Sequence, residues 1–213
     1  MHSFFIHIPP WFQKLFPRLT WSVATEKNEM YLTFDDGPTP EVTEWVLETL
    51  AKFNAKATFF CIGKNMRAHP EITAKIIAGG HRIGNHSYNH LNGWKTNSEK
   101  YLADIAKTQQ VLDRYKPPHN SRLFRPPYGR ISPLQAKKIR KQNYQIVLWN
   151  VLSADFDPKT SPLRCAENVL KHSSKGAVIV FHDSKKAATN LRFALPKVLE
   201  YFTEKGVDFK ALP

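Results

Sequence analysis

The stretch "MYLTFDDGPTPEVTEWVLETLAKF", residues 30–53, with "ATFFCIG" close behind it at 57–63, decides the fold. Residues 30–34 form a continuous apolar run, the pattern of a strand buried on both faces rather than one with a wet side. Thr39 then reads as an N-cap and Pro40 as the first position of a helix on which Val42, Trp45, Val46, Leu50 and Phe53 share one face. A second apolar run follows at once. Strand, helix and strand in so short a span make a parallel crossover unit.

The alternation continues outward from that unit. Further strand-like runs are "HRIGNH" (81–86), "RLFRPPY" (122–128), "QIVLWNV" (145–151), "AVIVF" (177–181) and "VDFKAL" (207–212). Helical spacing lies between them: Ile72, Ile76 and Ile77 before Gly79 and Gly80; Tyr101, Leu102, Ile105 and Leu112; Leu163, Ala166, Val169 and Leu170 after Ser161 and Pro162; Leu195, Val198, Leu199 and Phe202 before Gly206. This predicts a parallel sheet covered by helices, either closed into a barrel or open. In both cases a site belongs at the carboxyl ends of the strands.

With 213 residues, 42% hydrophobic and 23% charged, the chain suits one folded domain rather than disorder. Residues 1–28 read as an N-terminal arm and 29–213 as the domain. No apolar run approaches the roughly 18 residues of a membrane span. The apolar stretch at 4–8 is interrupted by His7 and closed by Pro9 and Pro10, too short for a signal peptide. The sequence therefore reads by default as cytoplasmic or membrane-peripheral. Phe12, Leu15, Phe16 and Leu19 fall at helical spacing around Lys14 and Arg18, so residues 4–21 read either as an arm packed on its own domain or as a peripheral membrane contact. A net charge of +13 favours anionic company. The bases are scattered, and no compact basic run with interleaved aromatics marks a nucleic-acid face, so no nucleic-acid partner is expected. Cys61 and Cys165 are too few for a disulfide framework and form no C-x-x-C pair. Oligomeric state is not legible.

The chemistry gathers behind the strands. Asp35 and Asp36 follow the first, where Gly37 frees the backbone to turn; "DDG" alone equally marks a loop-capping pair. His86 and His90 follow the third, in "GNHSYNHLNG", and on one turn of helix that spacing would aim two imidazoles at a shared metal. With one carboxylate they make a two-His, one-Asp set that leaves positions for water and substrate. Arg125, in "FRPPYGR" behind the fourth strand with Pro126 and Pro127, is placed to orient a carboxylate by a forked pair. His182 ends the sixth strand as a candidate general acid, and Asp155, behind the fifth, could hold such an imidazole and favour its charged form.

Taken in this order, "TFDDGP", "HSYNH", "RPPYG" and "VFHD" resemble the NodB-homology polysaccharide deacetylases, carbohydrate esterase family 4. The resemblance runs from about Tyr31 to the C-terminus and implies an α/β fold, a distorted (β/α) barrel with about seven parallel strands in a single domain. It implies that Asp36, His86 and His90 hold a divalent metal, typically Zn2+, with Co2+ or another divalent ion as alternatives. Asp35 would be the general base oriented by Arg125, His182 the general acid, and the Tyr128 amide an oxyanion donor. The substrate would be an N-acetylated glycan or sugar. A cation there would also let the adjacent carboxylates of Asp35 and Asp36 sit together, since its charge offsets their repulsion.

Two departures from the family pattern bear on substrate. Where the family often carries D-x-x-D-W, this chain has "LSADF", so that Leu152 replaces the first acid, Asp155 remains, and Phe156 replaces the tryptophan that walls the groove. Val180 stands in the leucine position of L-x-H, beside the expected acetyl pocket. Both should alter fit rather than abolish chemistry.

Overall fold

The computed structural model describes residues 5–116 and 122–213. Phe4, the first residue of the apolar stretch in the arm, lies outside them. The strands are β1 (Glu29–Asp35), β2 (Ala57–Cys61), β3 (Arg82–Asn85), β4 (Arg122–Phe124), β5 (Tyr144–Ile146), β6 (Val151–Leu152), β7 (Val178–His182) and β8 (Asp208–Phe209). The helices are α1 (Pro10–Leu15), α2 (Val42–Lys52), α3 (Gly63–Ala68), α4 (Pro70–Ala78), α5 (Ser98–Asp113), α6 (Pro133–Arg140), α7 (Pro162–His172) and α8 (Ala188–Glu204). Seven strands lie in the order β5-β4-β3-β2-β1-β7-β6, all parallel, and β8 pairs with the start of β1. This is the distorted (β/α) barrel, with its seam between β5 and β6.

The seam corrects one expectation. The run 145–151 is not one strand: its first half pairs with β4 and its second with β7, while Val147 to Asn150 cross between them. A strand offers one hydrogen-bonding edge to each side, so each half is left with an open edge. The N-terminal arm occupies both. Thr20 N–H donates to Ile146 O and Leu148 N–H to Thr20 O, while Ile8 N–H donates to Asn150 O and Leu152 N–H to Ile6 O. Covering the edges satisfies backbone groups that would otherwise be exposed for pairing.

Alternation along each strand sorts side chains into two layers. Leu32, Phe34, Phe59, Ile179 and Phe181 face the helices, where Val46, Leu50, Leu195 and Leu199 cover them. Tyr31, Phe60, Leu123, Val147, Val178 and Leu212 fill the barrel interior. Each fully buried side chain of this size contributes about 1.5–3 kcal/mol. This apolar plug lies beneath the carboxyl end of the barrel, where the site's polar groups gather.

Two boundaries differ from expectation there. Helix α2 begins at Val42 with Glu41 as its cap, not at Pro40 after a Thr39 cap. Thr39 N–H is taken by Thr43 Oγ1 at 2.7 Å, which winds residues 39–43 into a turn over the barrel mouth. The run 122–128 pairs only over Arg122–Phe124, because Pro126 and Pro127 have no N–H to give and turn the chain into a short 3-10 segment, Pro127–Gly129.

Candidate metal centre and active site

Asp35 is the last residue of β1, and its Cα pairs with Phe60 on β2 and His182 on β7. Asp36 follows in the left-handed region, φ +80°, which swings its side chain away from that of Asp35. His86 is the first residue past β3, and Arg125 the first past β4, tied by its N–H to Asn85 O. The ends of β1, β3 and β4, all within four neighbouring strands, thus deliver these polar side chains to one opening. Residues 86–92 form a loop rather than the helical turn that the histidine spacing suggests, with Ser87 at φ +61° and His90 at φ +55°. Asp104 on α5 sets this shape. Its Oδ2 accepts from the Tyr88 and Asn89 N–H groups at 2.8 and 2.9 Å, which takes up donors that a helical turn would use.

Asp36 Oδ1 lies 3.6 Å from His86 Nε2 and 3.2 Å from His90 Nε2. One ligand atom from each residue falls within 4.8 Å of the others. The His86 tautomer follows from its partner: a carbonyl cannot donate, so Nδ1 carries the proton it gives to Arg125 O at 2.8 Å, and Nε2 presents a lone pair. Burial, partly opposed by Asp35, lowers the His86 pKa to about 4, keeping the ring neutral as a ligand must be. Asp36 is the converse case. Burial raises its pKa, but the closeness of the His90 ring, 3.2 Å from Oδ1, and the positive charge of His182 outweigh it and hold the carboxyl well below the usual range. Its Oδ1 is buried without a hydrogen-bond partner of good geometry. An orphaned anionic oxygen costs several kcal/mol unless something compensates it. Three lone-pair donors converging on one point, one of them orphaned, fit a divalent cation.

Asp35 is held differently. Arg125, fully buried, donates from one Nη to Asp35 Oδ1 and to Thr33 Oγ1, each at 2.7 Å, while its other nitrogens bind Val147 O and Leu148 O. The contact is therefore single, not the forked pair expected, because the rest of the guanidinium is spent on the barrel seam. Its plane lies 4.1 Å from the Phe60 ring centre, which fixes it from below. Asp35 Oδ2 is 4.0 Å from His86 Nε2, outside hydrogen-bond reach.

Across β1 stands His182. Its Nδ1 and its backbone N–H are each 2.8 Å from the two oxygens of Asp155, which is buried. Burial disfavours the imidazolium, but the charge and hydrogen bond of Asp155, then Asp36 and Asp35, raise the pKa to about 9. The ring is thus cationic near neutrality, with Nε2–H available. Phe156 lies edge-on to it at 4.9 Å. The Tyr128 hydroxyl reaches His90 Nδ1 at 3.1 Å, and Tyr128 holds φ +61°. Pro127 is buried in the turn before it, and Val180 is buried two residues before His182 on the inward face.

The structure also brings in residues that spacing did not single out. Asp183, directly after His182, is fully buried, accepting from Gly37 N–H at 3.0 Å and Thr43 Oγ1 at 2.5 Å. Burial, tempered by Thr43 and reinforced by Asp36, raises its pKa to about 7. A Cβ on Gly37 would sit 2.0 Å from its Oδ2, so glycine is required there by close approach. Asn65 donates to Asp36 O at 2.8 Å. The one available signal was that an acid follows the strand-end histidine just as Asp36 follows Asp35. Of nine non-glycine residues with positive φ among those described, Asp36, Ser87, His90, Tyr128 and Ala154 ring this opening, so backbone strain is concentrated where the polar groups meet.

Residues 22–147 match the family model described as polysaccharide deacetylase. A peptidoglycan-N-acetylglucosamine deacetylase of Bacillus cereus is 39% identical over 191 residues, covering 88% of this chain and 68% of that protein. Among solved structures, a peptidoglycan N-acetylglucosamine deacetylase in complex with 4-naphthalen-1-yl-N-oxidanyl-benzamide superposes with a TM-score of 0.87 at 36% identity, over 97% of this chain and 95% of that one. A carbohydrate esterase family 4 pseudoenzyme from Bacillus anthracis superposes with a TM-score of 0.79 at 22% identity, over 90% of this chain and 66% of that one. The last likeness concerns fold alone, so the chemistry has to be argued from side chains.

Proposed function

Because the chain belongs to the polysaccharide deacetylase family, we propose that it is a metal-dependent hydrolase that removes N-acetyl groups from an N-acetylated glycan, with N-acetylglucosamine of peptidoglycan type as the favoured substrate. The observation that carries this reading is the convergence of Asp36 Oδ1, His86 Nε2 and His90 Nε2 on one point, with the aspartate oxygen buried and orphaned. A divalent cation, Zn2+ in the first instance, would supply Lewis acidity there, polarising the acetyl carbonyl and acidifying the attacking water.

The chain's own residues do the rest. Asp35, fixed by Arg125, takes the proton of the water as general base. The oxygen that becomes negative in the tetrahedral state is met by the Tyr128 backbone N–H as donor. His182 delivers a proton from Nε2 to the nitrogen, without which an amine is a poor leaving group. Asp155 orients that ring and keeps it charged. Asp35 and His182 come from hydrogen-bonded neighbouring strands, so base and acid flank the same small space. Phe156 and Tyr128 would border the sugar, the smaller Phe156 leaving a wider groove than a tryptophan.

The test is acetate release from N-acetylglucosamine oligomers and from small acetamides, by protein stripped with a chelator and then reloaded with Zn2+ or Co2+. Release that depends on metal and favours the oligomers supports the reading. Oligosaccharide binding without acetate release would make this a glycan-binding protein instead.

A further inference from the structure

We propose that the face formed by the N-terminal arm, the Trp94 loop and the Gly129–Leu148 region docks on an anionic lipid bilayer. Helix α1 and the turn after it lie beside Trp94, Ile131, Pro133 and Ala136, leaving an apolar groove of about 460 Å³ between arm and barrel. Around that groove large apolar side chains face water. Trp11 is 66%, Leu15 62% and Trp94 67% exposed, and Phe16 and Leu134 join them. Singly, exposed apolar residues mean little; gathered on one face around a groove, they mark an interaction surface. The aromatics are held in place rather than loose. Phe12 packs on Phe16 and Trp21 at ring separations of 5.4 and 5.8 Å, and Trp94 Nε1 donates to Ile131 O at 3.1 Å.

Charge selects the occupant. The segments that build this face, residues 5–21, 90–97 and 127–148, contain eight Lys and Arg and no Asp or Glu. They make up less than a quarter of the chain yet supply eight of its thirteen net positive charges. Lys14, Arg18, Lys137, Lys138 and Lys141 are exposed, and the Arg130 guanidinium lies 5.3 Å from the Trp94 ring centre. Tryptophan with basic residues at a rim, and leucine beyond it, is the composition of a surface that inserts to headgroup depth on negatively charged lipid. An anionic polymer would meet the bases but give no reason for Trp11 and Leu15 to stand in water. Among the described residues no helix is long and apolar enough to cross a membrane, so this contact lies on the bilayer rather than through it. Gly129 lines the groove and its neighbour Tyr128 touches His90, so docking sets the candidate metal centre at the membrane's edge.

The test is sedimentation of the full chain with vesicles of phosphatidylcholine alone or mixed with phosphatidylglycerol, with tryptophan emission recorded. Binding and a blue shift are expected only with phosphatidylglycerol present. Trp11→Ser combined with Leu15→Ser should lower partitioning about tenfold or more, equivalent to 1.4 kcal/mol. Lys14→Ser with Arg18→Ser should do so at least as strongly. Both variants should release acetate from soluble oligosaccharide like the parent, which shows that they fold. No binding to the mixed vesicles overturns the proposal. So does binding that high salt abolishes and Trp11→Ser with Leu15→Ser leaves unchanged, since that is the signature of an anionic polymer site. Equal binding to both vesicle types overturns it too.

Discussion

Replacing Asp155 by asparagine isolates the part of the proposed mechanism that rests on one contact. In the parent, the Asp155 carboxylate receives both the Nδ1–H and the backbone N–H of His182, and the ring's pKa stands at about 9. Asparagine keeps one acceptor oxygen and turns the other into a donor facing an N–H, which leaves a clash of donors and removes the charge. Burial, which lowers the pKa, then acts with little to oppose it, so the imidazole should titrate at or below its ordinary value of about 6.5. A general acid works only while protonated. With those values the variant loses about fourfold at pH 7 and roughly 70-fold at pH 8.5, and almost nothing through protonation at pH 5.5.

The assay is kcat/KM for acetate release across pH, in which the alkaline limb should move down by more than one pH unit. A cation on Asp36 cancels part of the pull that acid exerts on His182, so the parent limb lies somewhat below 9; the displacement between parent and variant is what decides. An independent readout uses metal-free protein. The folded-state pKa of His182 is raised, so the stabilisation is full below the unfolded value near 6.5 and is lost as pH rises through about 9. It amounts to about 3 kcal/mol at most, or roughly 6–12 °C in Tm for a chain of this length. The Tm gap between parent and Asp155→Asn should therefore close on going alkaline. A rate that falls equally at every pH, with the limb unmoved, would refute the role given to Asp155.

Three further outcomes are expected. Asp36→Ala should weaken Zn2+ binding more than 100-fold in a competition with a chromogenic chelator, beyond the about 10–100-fold typical of losing a supporting partner, while the fold survives by circular dichroism. Gly37→Ala drives a methyl group into the Asp183 carboxylate, and the overpacking should cost about 1–3 kcal/mol, read as a lower midpoint in urea, with weaker metal binding because Asp36 is the preceding residue. Arg125→Lys cannot reach Asp35, Thr33, Val147 O and Leu148 O together; with each buried acceptor left unpaired costing about 1–3 kcal/mol, Tm should fall and acetate release should drop even at saturating metal.

How much of this was legible in the sequence depends on the range of the interaction involved. The strands around Leu32, Phe59 and Ile179 were readable because burial on both faces demands unbroken apolar runs, a local signal. Asp35, Asp36, His86, Arg125 and His182 were readable because each sits at a strand end or one position past it, the place a parallel sheet reserves for chemistry, and His90, Tyr128 and Asp155 follow within five residues. What failed was anything set by a distant partner. The loop shape of residues 86–92 depends on Asp104 across the barrel wall, the single rather than forked Arg125 contact on the carbonyls of a crossing segment, and the start of α2 on a hydroxyl held by Asp183. The run "QIVLWNV" carries a perfect strand pattern and still breaks, because its neighbours at the two ends belong to opposite edges of the sheet. Composition cannot encode that seam, yet Arg125 reaches both Val147 O and Leu148 O within it while gripping Asp35. The irregular backbone that defeats the pattern is thus what positions the proposed base, and the arm that covers the seam's open edges supports the site at one remove.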